Sequence, residues 1–134
     1  ALAFAYSCNL GIDLEYLNQK INLDDILPSL LTQNEAQRFK TDEDNENRLK
    51  NVLQLWTLKE AYVKAIGLGL YKPLKEISFA LDSCGEPFLE WVLHDHDISK
   101  WNVKRLQFFE DGYIGALIFD GNYSKIIYKK WLSD

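Results

Sequence analysis

Apolar positions along this chain pass from an alternating to a helical spacing and back. Ala1 to Tyr6 and then Leu10 to Leu14 are apolar and partly alternating, which predicts two short strands around a turn at Ser7 to Asn9. From Leu23 the spacing is helical, with Ile26, Leu27, Leu30 and Leu31 on one side, and Pro28 is expected to limit or bend that segment. Thr32-Gln33-Asn34-Glu35 matches a capping box, in which the Thr hydroxyl and the Glu carboxylate satisfy amide donors left free at a helix start, so another helix is expected to run to Lys40. Thr41 to Asn47 is the most polar stretch and reads as a connecting loop with a fresh N-cap at Thr41 or Asp42. The strongest helical pattern runs from about Glu46 to Ile66, where Leu49, Val52, Leu53, Trp56, Val63 and Ile66 recur at steps of three and four, until Gly67 and Gly69 stop it. After Pro73 the pattern is strand-like at Ile77 to Leu81, Phe88 to Val92, Val103 to Phe109, Tyr113 to Phe119 and Ser124 to Trp131. Gly85-Glu86-Pro87, Asp111-Gly112 and Gly121-Asn122 separate these runs as hairpin signals.

Helices in the first half and antiparallel strands in the second predict one α+β domain over residues 1–134, an antiparallel sheet packed against a long helix, with the strands before Leu23 joining that sheet. Its 134 residues, 47% of them hydrophobic, suffice for a core, and 26% charged with 13% aromatic is far from a disordered composition. No apolar run is long enough to cross a bilayer, so no membrane association is expected. A net charge of -5 repels polyanions, which argues against a nucleic-acid partner. Cys8 and Cys84 are far apart and in no metal-ligand spacing, so they read as free thiols of a cytoplasmic protein rather than as a disulfide or a zinc site. The chain has no methionine and opens Ala1-Leu2-Ala3-Phe4 without a basic region, which reads as a trimmed chain and not as a signal peptide.

Candidate chemistry falls in two clusters. In Gly11-Ile12-Asp13-Leu14-Glu15, strand alternation sends Asp13 and Glu15 to one face while Ile12 and Leu14 are expected to enter the core. Such a pair either decorates a solvated sheet face or holds a hard divalent cation, for which carboxylate oxygens are suitable ligands. In Trp56-Thr57-Leu58-Lys59-Glu60-Ala61-Tyr62-Val63-Lys64-Ala65, about 100° per residue puts Trp56, Lys59, Glu60 and Lys64 within an arc of roughly 140°. The plain alternative is a Glu60–Lys64 helix ion pair at the favoured i,i+4 spacing. Taken together, three carboxylates can complete a magnesium site beside two lysines that neutralise phosphate oxygens, the equipment of phosphoryl-group chemistry. Gly67-Leu68-Gly69 follows a helix, and no glycine-rich phosphate loop follows a strand, so a nucleotide-binding fold is not its source.

G-I-D-L-E, followed about forty residues later by W-T-L-K-E-A-Y-V-K-A-I-G-L-G-L, resembles the paired signature of the 4′-phosphopantetheinyl transferase superfamily, of the surfactin-synthetase-activating type. The resemblance covers nearly the whole chain, because Gly67, Gly69 and Pro73-Leu74 also follow the family's order before its closing antiparallel strands. It implies one lobe of that fold and magnesium-dependent transfer of the phosphopantetheine arm of coenzyme A to a serine of an acyl or peptidyl carrier protein, with release of 3′,5′-ADP. By the same resemblance Asp13, Glu15 and Glu60 hold magnesium, Lys59 and Lys64 contact the phosphates, and Glu60 removes the serine proton, directly or through a water. Trp56 is expected to pack rather than bind.

Members of this type usually carry two similar lobes, with the coenzyme A site between them. The first lobe's basic residues and its His-Ser pair are not seen here, and His94 and His96 fall in a polar turn expected to be solvated. The short carrier-protein synthases instead form trimers, so this chain is expected either to self-associate or to lack an upstream lobe. The alternative function is a non-catalytic lobe that binds coenzyme A or the carrier and needs a partner lobe for turnover. The acidic net charge leaves docking of the carrier to apolar contacts.

Overall fold

A computed structural model describes residues 1–17, 20–39, 45–106, 108, 110–123 and 125–130. Strand β1 (Leu10–Tyr16) is followed by helices α1 (Leu23–Leu30), α2 (Gln33–Phe39) and α3 (Asn45–Ala65), and then by β2 (Ile77–Leu81), β3 (Pro87–Val92), β4 (Trp101–Arg105) and β5 (Tyr113–Asp120). The α+β class expected from the pattern is the one observed, with strands paired antiparallel. The strands divide into two sheets, however, in the orders β1-β5-β4 and β2-β3, where one sheet was expected. β3 and β4 pack side by side without ladder hydrogen bonds, so the sheet is split between them.

Two expected strands are not formed among the described residues. Ala1 to Tyr6 makes no ladder pairing, with Leu2, Phe4 and Tyr6 exposed. Residues 125–130 are not strand either, and the ends of that expected segment, Ser124 and Trp131, are outside the described residues. In both places the β pattern is present, but the described residues there make no ladder pairing, which a strand requires. The expected extensions to Lys40 and Phe109, and the loop residues Thr41 to Asp44, are likewise outside the described residues.

Helix α1 starts where the Asn22 side chain accepts from the Asp24 amide at 3.2 Å, and it ends two residues past Pro28, which has no N–H for the Asp24 carbonyl. Helix α2 begins with the capping box formed as expected: the Thr32 amide donates to Glu35 Oε2 at 2.9 Å and the Glu35 amide to Thr32 Oγ1 at 3.3 Å. Helix α3 is buried on most sides from Val52 onward, and Gly67 and Gly69, both at positive φ, turn the chain after it. Its residues Val52, Leu55, Leu58, Ala61, Tyr62 and Ala65 form the centre of the core with Leu30, Ile77, Phe79, Ala116 and Ile118. α3 crosses β1 and β5 closely because Gly11 has no side chain: a Cβ there would run into the Ala61 carbonyl oxygen and come within 2.5 Å of the Ala65 nitrogen.

Candidate active site

Gly11 faces α3, so strand alternation puts Asp13 and Glu15 on the α3 side of the sheet as well. Ile12 and Leu14 take the other face and are only half-buried, contrary to the expectation that they would enter the main core. Ala61 and Ala65 in the last turns of α3 cover Gly11, and Lys64 from the same turns reaches Asp13 beside that contact.

The ion pair at that rim is short. Lys64 Nζ donates to Asp13 Oδ1 at 2.6 Å and to the Ile12 carbonyl at 3.2 Å. The Asp13 side chain is 11% exposed and the Lys64 side chain 50%. Asp13 Oδ2 is buried with no hydrogen-bond partner. Burial pushes the Asp13 carboxyl above the ordinary carboxylate range; the hydrogen bond and charge of Lys64 oppose this, and the charge of Glu15 adds to it. Glu60 is raised too, first by burial and then by the Asp13 charge, with Lys64 opposing and Glu15 adding. Asp13, Glu15, Glu60 and Lys64 therefore act on one another electrostatically. Among the described residues, no three His, Cys, Asp or Glu side chains converge as a ready-made metal cage.

Lys59 is turned away from this group, although the helical arc puts it beside Glu60. It is 0% exposed, and its ammonium donates to Glu35 Oε2 and to the Leu30 carbonyl, each at 2.6 Å. Glu35 also accepts from the Phe79 amide at 3.1 Å, so one buried carboxylate ties together α2, α3 and β2. Burial pushes the Lys59 ammonium below its usual value, and Glu35 offsets part of that. A side chain so enclosed does not reach a phosphate at the rim, and its place in the fold is structural. Trp56 packs half-buried against the core, as expected. Tyr62 from the same motif is buried, with its ring edge-on to Trp101 at 5.4 Å and its hydroxyl donating to Asp95 at 3.0 Å.

Two residues were not identified from the sequence. Glu35 was given only its capping role, and nothing local to Lys59 indicated an ion partner 24 positions away. Gly11 carried a usable signal, since a glycine inside a strand marks close backbone approach.

A cleft of about 640 Å³ opens on the other side of α3, lined by Asn51, Leu55, Leu58, Phe79, Phe88 and Arg105 among others. Asn51, Leu55 and Leu58 project from the helix roughly opposite Glu60 at about 100° per residue, so this cleft does not contain the acids. On the acid side, a hollow of about 110 Å³ beside Glu15 is walled by Ile21, Leu23, Ile26, Val52, Leu53 and Trp56.

A sequence model of the 4′-phosphopantetheinyl transferase superfamily matches residues 9–118, the span that contains both motifs. This chain belongs to the 4′-phosphopantetheinyl transferase superfamily. Over 79 residues, 59% of this chain, it is 38% identical to the 4′-phosphopantetheinyl transferase HetI of Nostoc sp., and the match covers 32% of that protein. Solved structures of similar shape include a holo-(acyl-carrier-protein) synthase from Bacillus anthracis in complex with CoA (3′,5′-ADP), with TM-score 0.65, 25% identity and coverage of 84% of this chain and 94% of that one. The holo-ACP-synthase of Plasmodium yoelii shares the fold at TM-score 0.65 and 20% identity, covering 84% and 92% of the two chains. No helix among the described residues is long and apolar enough to cross a membrane.

Proposed function

We propose that this chain carries the site for magnesium-dependent transfer of the 4′-phosphopantetheine arm from coenzyme A to a serine of an acyl or peptidyl carrier protein, releasing 3′,5′-ADP in the cytoplasm. The wording of the α3 motif supports the surfactin-synthetase-activating type. The observation that carries the reading is the pairing of Asp13 from β1 with Lys64 from α3, with Glu60 under the charges of both, in a chain of this superfamily.

The donor set suits a hard divalent cation. It offers carboxylate oxygens only, Asp13 Oδ2 is buried without a partner among the described residues, and burial with neighbouring negative charge (Glu15 for Asp13, Asp13 and Glu15 for Glu60) raises both carboxyls. Asp13, Glu15 and Glu60 are the residues that would hold magnesium, which when bound supplies positive charge to the diphosphate oxygens. Lys64, on a half-exposed stem in the last turn of α3, is placed to bring its ammonium to the same oxygens. The serine Oγ forms a bond to the β-phosphorus as the bond from that phosphorus to the bridging oxygen breaks, and 3′,5′-ADP leaves with that oxygen. Glu60, directly or through one water, accepts the serine proton. Lys59 takes no part in phosphate binding in this scheme and holds α3 in register through Glu35.

Calorimetric titration of the chain with coenzyme A and magnesium separates binding from turnover. Coenzyme A binding that depends on magnesium and is lost in Asp13→Asn is expected. Binding indifferent to both would remove the site from Asp13.

A further inference from the structure

Lys64 already occupies the position on Asp13 that a cation would need. Its ammonium sits 2.6 Å from Oδ1, while Oδ2 has no hydrogen-bond partner among the described residues. Among the described residues Lys64 is the cation whose charge offsets both Asp13 and Glu60, against the negative charges of Asp13, Glu15 and Glu60. Its side chain is 50% exposed, and besides Asp13 its ammonium has only the longer contact to the Ile12 carbonyl at 3.2 Å among the described residues. A long exposed lysine stem can swing outward at little cost, whereas Asp13, fixed in a ladder opposite Ala116, cannot follow it.

We infer that Lys64 is a stand-in cation that suppresses divalent-metal binding to the free site and is drawn off Asp13 by the diphosphate of the substrate, so that metal and diphosphate bind cooperatively. The inference rests on the magnesium reading of the site given above. A metal ion binding alone must either push the ammonium away or sit beside it, and like charges at such distances repel. A diphosphate offers that ammonium new oxygens, so Asp13 is freed when the second ligand arrives. Linkage makes the effect reciprocal: metal raises affinity for the diphosphate by the same factor. The free protein thereby keeps its acids neutralised without committing to a metal ion, and the site is completed only when substrate is present.

The test is titration of the full chain with Mn²⁺, read by the loss of the free-ion electron paramagnetic resonance signal, with and without coenzyme A, in native protein and in Lys64→Met, Lys64→Arg and Asp13→Asn. Lys64→Met should bind Mn²⁺ in the absence of coenzyme A on the order of tenfold more tightly than native, and the enhancement given by coenzyme A should shrink. Lys64→Arg keeps the charge and should behave as native. Melting curves establish that each variant is folded. Unchanged or weaker Mn²⁺ binding by Lys64→Met, with binding lost in Asp13→Asn, would overturn the stand-in role and leave the metal site intact. Absence of Mn²⁺ binding in native and Lys64→Met, even with coenzyme A, would overturn both.

Discussion

Replacing Gly11 with alanine adds one methyl group where strand β1 touches helix α3, and the geometry sets the size of the effect. The new Cβ would meet backbone on the helix side, at the Ala61 carbonyl and 2.5 Å from the Ala65 nitrogen, and backbone has no rotamer by which to yield. Restoring ordinary contact at about 3.5 Å from the nearer atom, the Ala61 carbonyl oxygen, requires the helix to move roughly 1.5 Å from the strand. Overpacking of this kind costs about 1–3 kcal/mol, which for a domain of this size lowers the melting temperature by roughly 4–12 °C. Because Asp13 is two residues along the same strand face and Glu60 and Lys64 are on the displaced helix, transfer should fall about 100-fold beyond any loss of folded protein. Melting scans beside single-turnover transfer assays, at a temperature where the variant is fully folded, measure both effects. A Gly11→Ala protein melting within about 2 °C of native and transferring at the native rate would refute the close packing and its role in aligning the site.

Lys59→Met should cost about 3–5 kcal/mol in urea unfolding because it leaves Glu35 buried without its charge partner, and the double variant Glu35→Gln with Lys59→Met should regain part of that loss. A Lys59→Met protein as stable as native would contradict the buried pair. Glu60→Gln should lower turnover by roughly 10²- to 10⁴-fold while leaving the melting temperature at neutral pH equal to or above native. The sign follows from the raised carboxyl. Folding favours protonated Glu60, so that share of stability is full below its ordinary value of 4.5 and is lost as pH rises through the higher folded value. Native protein should therefore lose more stability than Glu60→Gln between pH 4.5 and neutrality, and parallel melting profiles would contradict the shift.

The elements most legible in the sequence were those with strong local signals. The helical pattern from about Glu46 to Ile66 marked α3 to within a residue at either end, and Thr32 with Glu35 marked the start of α2 because a capping box is a contact between near neighbours. Ala1 to Tyr6 and residues 125–130 carry a strand pattern equally well, yet pairing depends on a sheet edge that no local pattern specifies. The same division runs through the site. Residue type and period single out Asp13, Glu15, Glu60 and Lys64; the fold pairs Lys64 with Asp13 and leaves Glu60 under the charges of Asp13, Glu15 and Lys64, while no three acids converge among the described residues. The turn of Lys59 inward was hidden because its partner Glu35 comes from another helix, and an arc drawn on an isolated helix does not say which side neighbours will cover. Ile12 and Leu14 were assigned to the core on hydrophobicity alone, whereas the glycine at position 11 decides which face α3 can approach.

In the proposed mechanism Asp13, Glu60 and a divalent cation together move the phosphopantetheine arm. Its most direct test is transfer from a fluorescent coenzyme A analogue to an apo carrier protein, followed with magnesium and with chelator in native chain, Asp13→Asn and Glu60→Gln. Labelling of the carrier serine that requires magnesium and falls at least about 100-fold in both variants is the predicted result. Labelling that persists in chelator and in both variants would contradict the account.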